Sequence, residues 1–190
     1  MADINVNAAL NPVQGGSRPA PDASAQGLRW DIIELLFFAY RDFVGDADHV
    51  LETFGFGRAH HRVLYFVSRY PGLKVADLLG VLRITKQSLG RVLKQLLDEG
   101  YIVQKEGDAD RRQRLLYATA KGETLVRRLV TLQTARIDAA LAGFSPAESA
   151  AVRRFLRAMI DRDSPDKVLE QLLGLAQGVA QGAGPQEAKE

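Results

Sequence analysis

Cysteine is absent from all 190 residues, which excludes disulfides, thiolate metal sites and thiol redox sensing outright. Histidine occurs only at His49, His60 and His61. The adjacent pair would point about 100° apart on a helix, unlike the i, i+4 pairs of helical metal sites, so no metal is assigned. No apolar run has the length a bilayer requires, and the N-terminus lacks both a basic n-region and an apolar h-region. The expectation is a soluble, cytoplasmic protein with no membrane partner. No glycine-rich phosphate loop is present, and the serines fall at caps, turns and one basic helix rather than beside a histidine. Nothing points to an enzyme, and no cofactor is implied.

What is present is 46% hydrophobic content at a mean hydropathy of −0.12, enough for one globular unit with appendages. The net charge of +2 conceals an asymmetry. From Arg58 to Arg128 there are 15 Lys and Arg against 7 Asp and Glu, and the rest of the chain holds 10 bases and 16 acids. A basic centre with acidic flanks is the electrostatic footprint of a duplex-binding module. Charge alone would suit RNA or an acidic protein equally.

The stretch from Ile84 to Gly100 narrows the choice. Thr85 is placed to cap a helix that Gly100 terminates, and Leu89, Val92, Leu93 and Leu96 form one apolar stripe at i, i+3, i+4, i+7 spacing. Opposite stand Gln87, Arg91, Lys94 and Gln95, flanked by Ser88 and led by Lys86, with no acid before Asp98. Donor-rich side chains without carboxylates are what a helix needs in the major groove, where Arg and Gln read base edges and Lys and Thr hold phosphates. An ordinary amphipathic helix with a solvated basic face would look the same in isolation, so its neighbours decide.

Residues 1–26, rich in Asn, Pro, Gly, Ser and Ala, read as a disordered tail. A helix over about 28–53 carries Trp30, Ile33, Leu36, Phe37, Tyr40, Phe43 and Val44 over an arc wide enough to suggest a subunit interface. Arg58 to Arg69 is the next helix, Pro71-Gly72 a turn, and Val75 to Leu82 a short helix leading into the basic one: helix, tight turn, helix. Tyr101 to Gln104 and Leu115 to Thr119 read as two strands joined through Gly107, Asp108, Ala109 and Asp110. The loop carries Arg111, Arg112 and Arg114 and has the character of a basic wing. A long helix from Lys121 to about Ala142 has Leu125, Leu129, Leu132 and Leu141 on one side. Ser145-Pro146-Ala147-Glu148 is a capping box that opens a helix with Val152, Phe155, Leu156, Met159 and Ile160 at core spacing. A further helix is expected over 164–178, then a loose tail over 179–190. The fold class is mainly α with a small β-hairpin wing: a winged helix-turn-helix lobe over about 58–121, with dimerisation helices over about 28–53 and 122–163.

This order of elements resembles the MarR family of bacterial winged-helix transcription factors over roughly Asp31 to Ile160. The resemblance is carried by Arg58-Ala59-His60-His61-Arg62-Val63-Leu64, by Ile84-Thr85-Lys86-Gln87-Ser88-Leu89, by Glu99-Gly100-Tyr101-Ile102, by Asp108-Ala109-Asp110-Arg111-Arg112 and by Tyr117-Ala118-Thr119-Ala120-Lys121-Gly122. Ala118 departs from the leucine usual before that threonine, a difference that touches packing. The resemblance implies a homodimer that presents two lobes to double-stranded DNA at a pseudo-palindromic operator, with half-sites about one turn, ~10 bp, apart. It implies Gln87, Ser88 and Arg91 at base edges, Thr85, Lys86 and Lys94 on or near phosphates, Arg112 at the wing tip, and Asp110 holding the wing through an arginine. Lys74, Gln95, Arg111 and Arg114 complete the candidate DNA-binding set.

Many members of that family are repressors released by small aromatic or anionic effectors. Here a cation beside aromatics would suit a carboxylate; the candidates are Arg58, His60, His61 and Arg62 with Trp30, Phe37, Tyr40 and Tyr65, although the aromatics serve equally as plain core. An activator of the same fold, and a winged-helix module that binds a protein instead of an operator, are the alternatives.

Overall fold

The computed structural model describes residues 27–107 and 113–160. The expected tails, the helix over 164–178, and Asp110, Arg111 and Arg112 lie outside them. The chain divides into two compact units, Met1–Phe37 and Phe38–Glu190. The elements run α1 (Trp30–Glu52), α2 (Arg58–Arg69), β1 (Leu73–Lys74), α3 (Val75–Leu82), α4 (Lys86–Asp98), β2 (Ile102–Glu106), β3 (Arg114–Ala118), α5 (Ala120–Leu141) and α6 (Pro146–Ala158).

Helix ends fall where local chemistry puts them. The Thr85 hydroxyl accepts from the Ser88 N–H at 3.1 Å and starts α4; Gly100, at φ 73°, turns the chain out of it. At α6 the Ser145 hydroxyl accepts from the Glu148 N–H, and the Glu148 carboxylate accepts from the Ser145 N–H at 2.7 Å, with Pro146 opening the helix. The helix-turn-helix turn is as tight as the sequence suggests, and Arg83 makes it by capping α3 in the left-handed region at φ 48°.

The wing contains one strand more than expected. β3 pairs antiparallel with β2 through Val103 opposite Tyr117, and with β1 through Leu73 opposite Leu116, so the order is β1-β3-β2. Two residues are too few to show a strand's period of two. Thr119 is not strand. Its hydroxyl donates to the Gly100 carbonyl at 2.7 Å and accepts from the Gly122 N–H, which makes it the cap of α5.

One apolar core lies under these elements in Phe38–Glu190, built from Leu51 of α1, Val63, Leu64 and Val67 of α2, Leu78 of α3, the α4 stripe, Ile102 and Leu116 of the sheet, and Leu125 and Leu129 of α5. Among the described residues, the core spacing expected of α6 meets no cover. Val152 is half-buried, and Phe155, Leu156, Met159 and Ile160 are exposed. A stripe shows that a helix has something to cover; it does not say that the same chain covers it. In Met1–Phe37, Leu28, Trp30, Leu35 and Phe37 are likewise exposed.

The tightest approach in the lobe is at Gly122. A Cβ there would collide with the Tyr101 carbonyl oxygen, which already accepts from the Thr119 N–H at 3.0 Å. Backbone cannot move aside as a flexible side chain can. Gly122→Ala is therefore expected to cost about 1–3 kcal/mol through overpacking, read as a lower urea midpoint; an unchanged midpoint would mean that α5 slides off Tyr101 freely.

Candidate nucleic-acid interface

α4 buries Leu89, Val92, Leu93 and Leu96 and thereby turns Lys86, Gln87, Ser88, Arg91 and Lys94 outward, all exposed. The first turn carries no acid. Among the described residues no carboxylate pairs with Lys86 or Arg91. Thr85 both accepts from the Ser88 N–H and donates to the Ser88 hydroxyl at 3.0 Å, so the Ser88 O–H is left to donate outward. The Lys86 and Gln87 amides of the first turn, outside that cap, face a positive helix end suited to phosphate.

Other expected contacts have partners of their own. Lys94 pairs with Asp98 one turn on. Arg114 sits in β3 and pairs across the hairpin with Glu106 at 2.7 Å, both at the loop end of the β2–β3 ladder. Lys74, half-buried in β1 opposite Leu115, occupies the N-cap position of α3 without a side-chain capping bond.

Gln95 departs furthest from its expected place. It is half-buried, its carbonyl lies 2.8 Å from His60 Nε2, and its amide donates to Glu99 at 2.9 Å. His60 in turn leaves the expected effector group, because its ring stacks on Phe56 at 4.8 Å on the α4 side of α2. Its neighbour His61 turns the other way.

His61 lines a cleft of about 240 Å³ with Tyr40, Phe43, Val44, Arg58, Arg62, Tyr65, Phe66 and Gln133. Five of the expected effector residues thus come together: Tyr40, Arg58, His61, Arg62 and Tyr65. Trp30 and Phe37 are not among the residues that line it. Asp48 holds the Arg58 guanidinium at 2.7 Å, and that guanidinium lies 6.0 Å from the Tyr40 ring centre. No described carboxylate pairs with Arg62. Phe43 and Val44 were legible as neighbours of Tyr40 at i+3 and i+4, whereas no period links Asp48 or Gln133 to α2.

A family model described as MarR family matches residues 54–113, from the end of α1 through the helix-turn-helix into the wing. The HTH-type transcriptional regulator PetP of Rhodobacter capsulatus is 46% identical over 129 residues, covering 68% of this chain and 78% of PetP. The chain belongs to the MarR family. MarR-family proteins are transcriptional regulators rather than enzymes, and the solved structures agree on the fold. FabT of Streptococcus pneumoniae, in complex with DNA, superposes with a TM-score of 0.61 at 20% identity over 75% of this chain and 97% of its own. The transcriptional regulator SlyA gives 0.58 at 20% identity over 76% and 99%. No helix among the described residues of this MarR-family chain is long and apolar enough to cross a membrane.

Burial lowers the His61 pKa, with Asp48 opposing in part. The unfolded chain then takes up a proton at this position more readily than the folded one. Its contribution to stability is present above the unfolded value, about pH 6.5, and is lost as pH falls through that value toward the folded one. The urea midpoint of the wild type should therefore drop between about pH 7.5 and about pH 5.5, and His61→Gln should flatten part of the drop; parallel profiles for the two proteins would contradict this.

Proposed function

We propose that this MarR-family protein is a homodimeric, sequence-specific repressor that binds a pseudo-palindromic operator in double-stranded DNA through α4 and the wing. The observation that carries the reading is the exposed, acid-free first half of α4. Gln87, Ser88 and Arg91 project from it with donors free, Arg to a guanine O6/N7 edge, Gln to adenine N6/N7, Ser to either. Lys86 and the first-turn amides would take phosphate. The DNA complex of FabT supports docking of this fold on a duplex.

Dimerisation is supported by apolar side chains that are exposed among the described residues: Trp30 and Phe37 on α1, and Phe155, Leu156, Met159 and Ile160 on α6 or just beyond it. A second copy is the simplest cover, and two-fold symmetry then requires two half-sites about one helical turn apart. Release by a small aromatic or anionic effector is supported by the cleft, which joins Tyr40, Phe43, Tyr65 and Phe66 with the guanidinium of Arg62.

Selection of bound duplexes from a random pool should enrich a two-fold-symmetric motif. On that motif Gln87→Ala and Arg91→Ala should each cost about 1–3 kcal/mol and relax selectivity at one base pair per half-site. Full affinity and unchanged base preference in both variants would remove α4 as the reading element. Phe155→Glu combined with Ile160→Glu should turn a dimer into a monomer in sedimentation; a dimer that persists would place the interface elsewhere.

A further inference from the structure

The polar side chains around α4 divide into two sets. Gln87, Arg91 and Gln95 stand on one ridge, four residues apart and about 40° further round at each step. Gln87 and Arg91 are exposed at its N-terminal end, and Gln95 is half-buried at its C-terminal end. A chain of hydrogen bonds ends there. The Gly57 N–H donates to His60 Nδ1 at 3.1 Å, so the ring proton sits on Nε2 and is donated to Gln95 Oε1 at 2.8 Å. With its carbonyl engaged, Gln95 directs its amide to Glu99, 2.9 Å away. The imidazole itself is held flat on Phe56, 12° from parallel, and Phe56 is buried edge-on against Tyr101 at 5.0 Å.

We propose that His60 is a positioning residue: through Gln95 it fixes the rotation of α4 about its own axis, and with it the aim of Gln87 and Arg91 at the bases. This rests on the reading of α4 as the element that reads DNA. The apolar stripe buries α4 but is not directional, since a few degrees of rotation change buried area little. A hydrogen bond is directional, and this one spans 35 residues of sequence between α2 and α4. Base-reading side chains must be held to within about 10–20° of their productive orientation. Gln95 is accordingly an anchor of the helix and not one of its readers.

Two isosteric halves of the imidazole separate the roles. His60→Asn keeps an acceptor near the Nδ1 position for the Gly57 N–H and loses the reach to Gln95; His60→Gln keeps a donor near Nε2 and loses the cap. The measurement is affinity for the enriched duplex and for a scrambled duplex of equal length, with thermal stability recorded beside it. His60→Asn and Gln95→Leu are expected to lower the specific-to-scrambled ratio about tenfold with an unchanged salt slope, and His60→Gln is expected to retain most of the ratio. The inference is overturned if the Asn and Gln variants track their thermal stabilities alike, or if Gln95→Leu alters preference at one base pair while His60→Asn alters nothing. Amide hydrogen exchange in the free protein gives the same test without DNA. Faster exchange over Gln95–Glu99 in His60→Asn, and not in His60→Gln, supports the anchor, and equal exchange in both overturns it. A wild type that enriches no duplex would fail the operator reading alone.

Discussion

Burial of the α4 stripe is the constraint from which the rest of the lobe follows. Leu89 and Leu96 are almost wholly buried, with Val92 and Leu93 close behind, and each such side chain contributes about 1.5–3 kcal/mol relative to exposure. Once that stripe is committed to the core, helical geometry leaves Gln87, Ser88 and Arg91 no direction but outward. α2, α3, the sheet and the first half of α5 are the cover for the stripe. The close approach of Gly122 to the Tyr101 carbonyl is where the last of those elements seats. Lys121 completes that seat, its ammonium 4.0 Å from the Tyr101 ring centre and donating to the Glu99 carbonyl at 2.9 Å.

Most of this was legible because it is written in short-range patterns. The Thr85 cap, the Ser145-Pro146-Ala147-Glu148 box, the glycine after Glu99 and the 3.6-residue period of α4 each involve residues within a turn or two of one another. What the sequence hid is long-range. Nothing local joins His60 to Gln95, Asp48 to Arg58, or Asp46 of α1 to Arg136 of α5, a pair held at 2.8 Å. The same holds for the polar residues expected to meet a partner: Gln95 is half-buried between His60 and Glu99, and Arg114 pairs with Glu106 on the exposed surface of the hairpin. α6 misled in the opposite sense. Its apolar spacing is present, but among the described residues nothing covers Phe155, Leu156, Met159 or Ile160.

α2 connects these features. One helix carries Arg58, His61, Arg62 and Tyr65 into the cleft at i, i+3, i+4, i+7 spacing and His60 toward α4. The two adjacent histidines have different tasks because about 100° of rotation sends one into apolar burial and the other to a polar ladder. A pair that invites a metal reading in the sequence is divided by the helix between two neighbourhoods. Arg58 is also divided, its charge already answered by Asp48, whereas Arg62 has no carboxylate partner among the described residues.

The central claim is that the exposed half of α4 reads base sequence while the basic charge around it supplies general affinity for phosphate. Equilibrium binding of the wild-type protein to an enriched duplex and to its scrambled counterpart, titrated against salt, tests it most directly. The account predicts that both affinities fall linearly on a log–log plot as salt rises, with the enriched duplex remaining about 10³-fold or more tighter throughout. Equal affinity for the two duplexes at every salt concentration, or binding insensitive to salt, would contradict it.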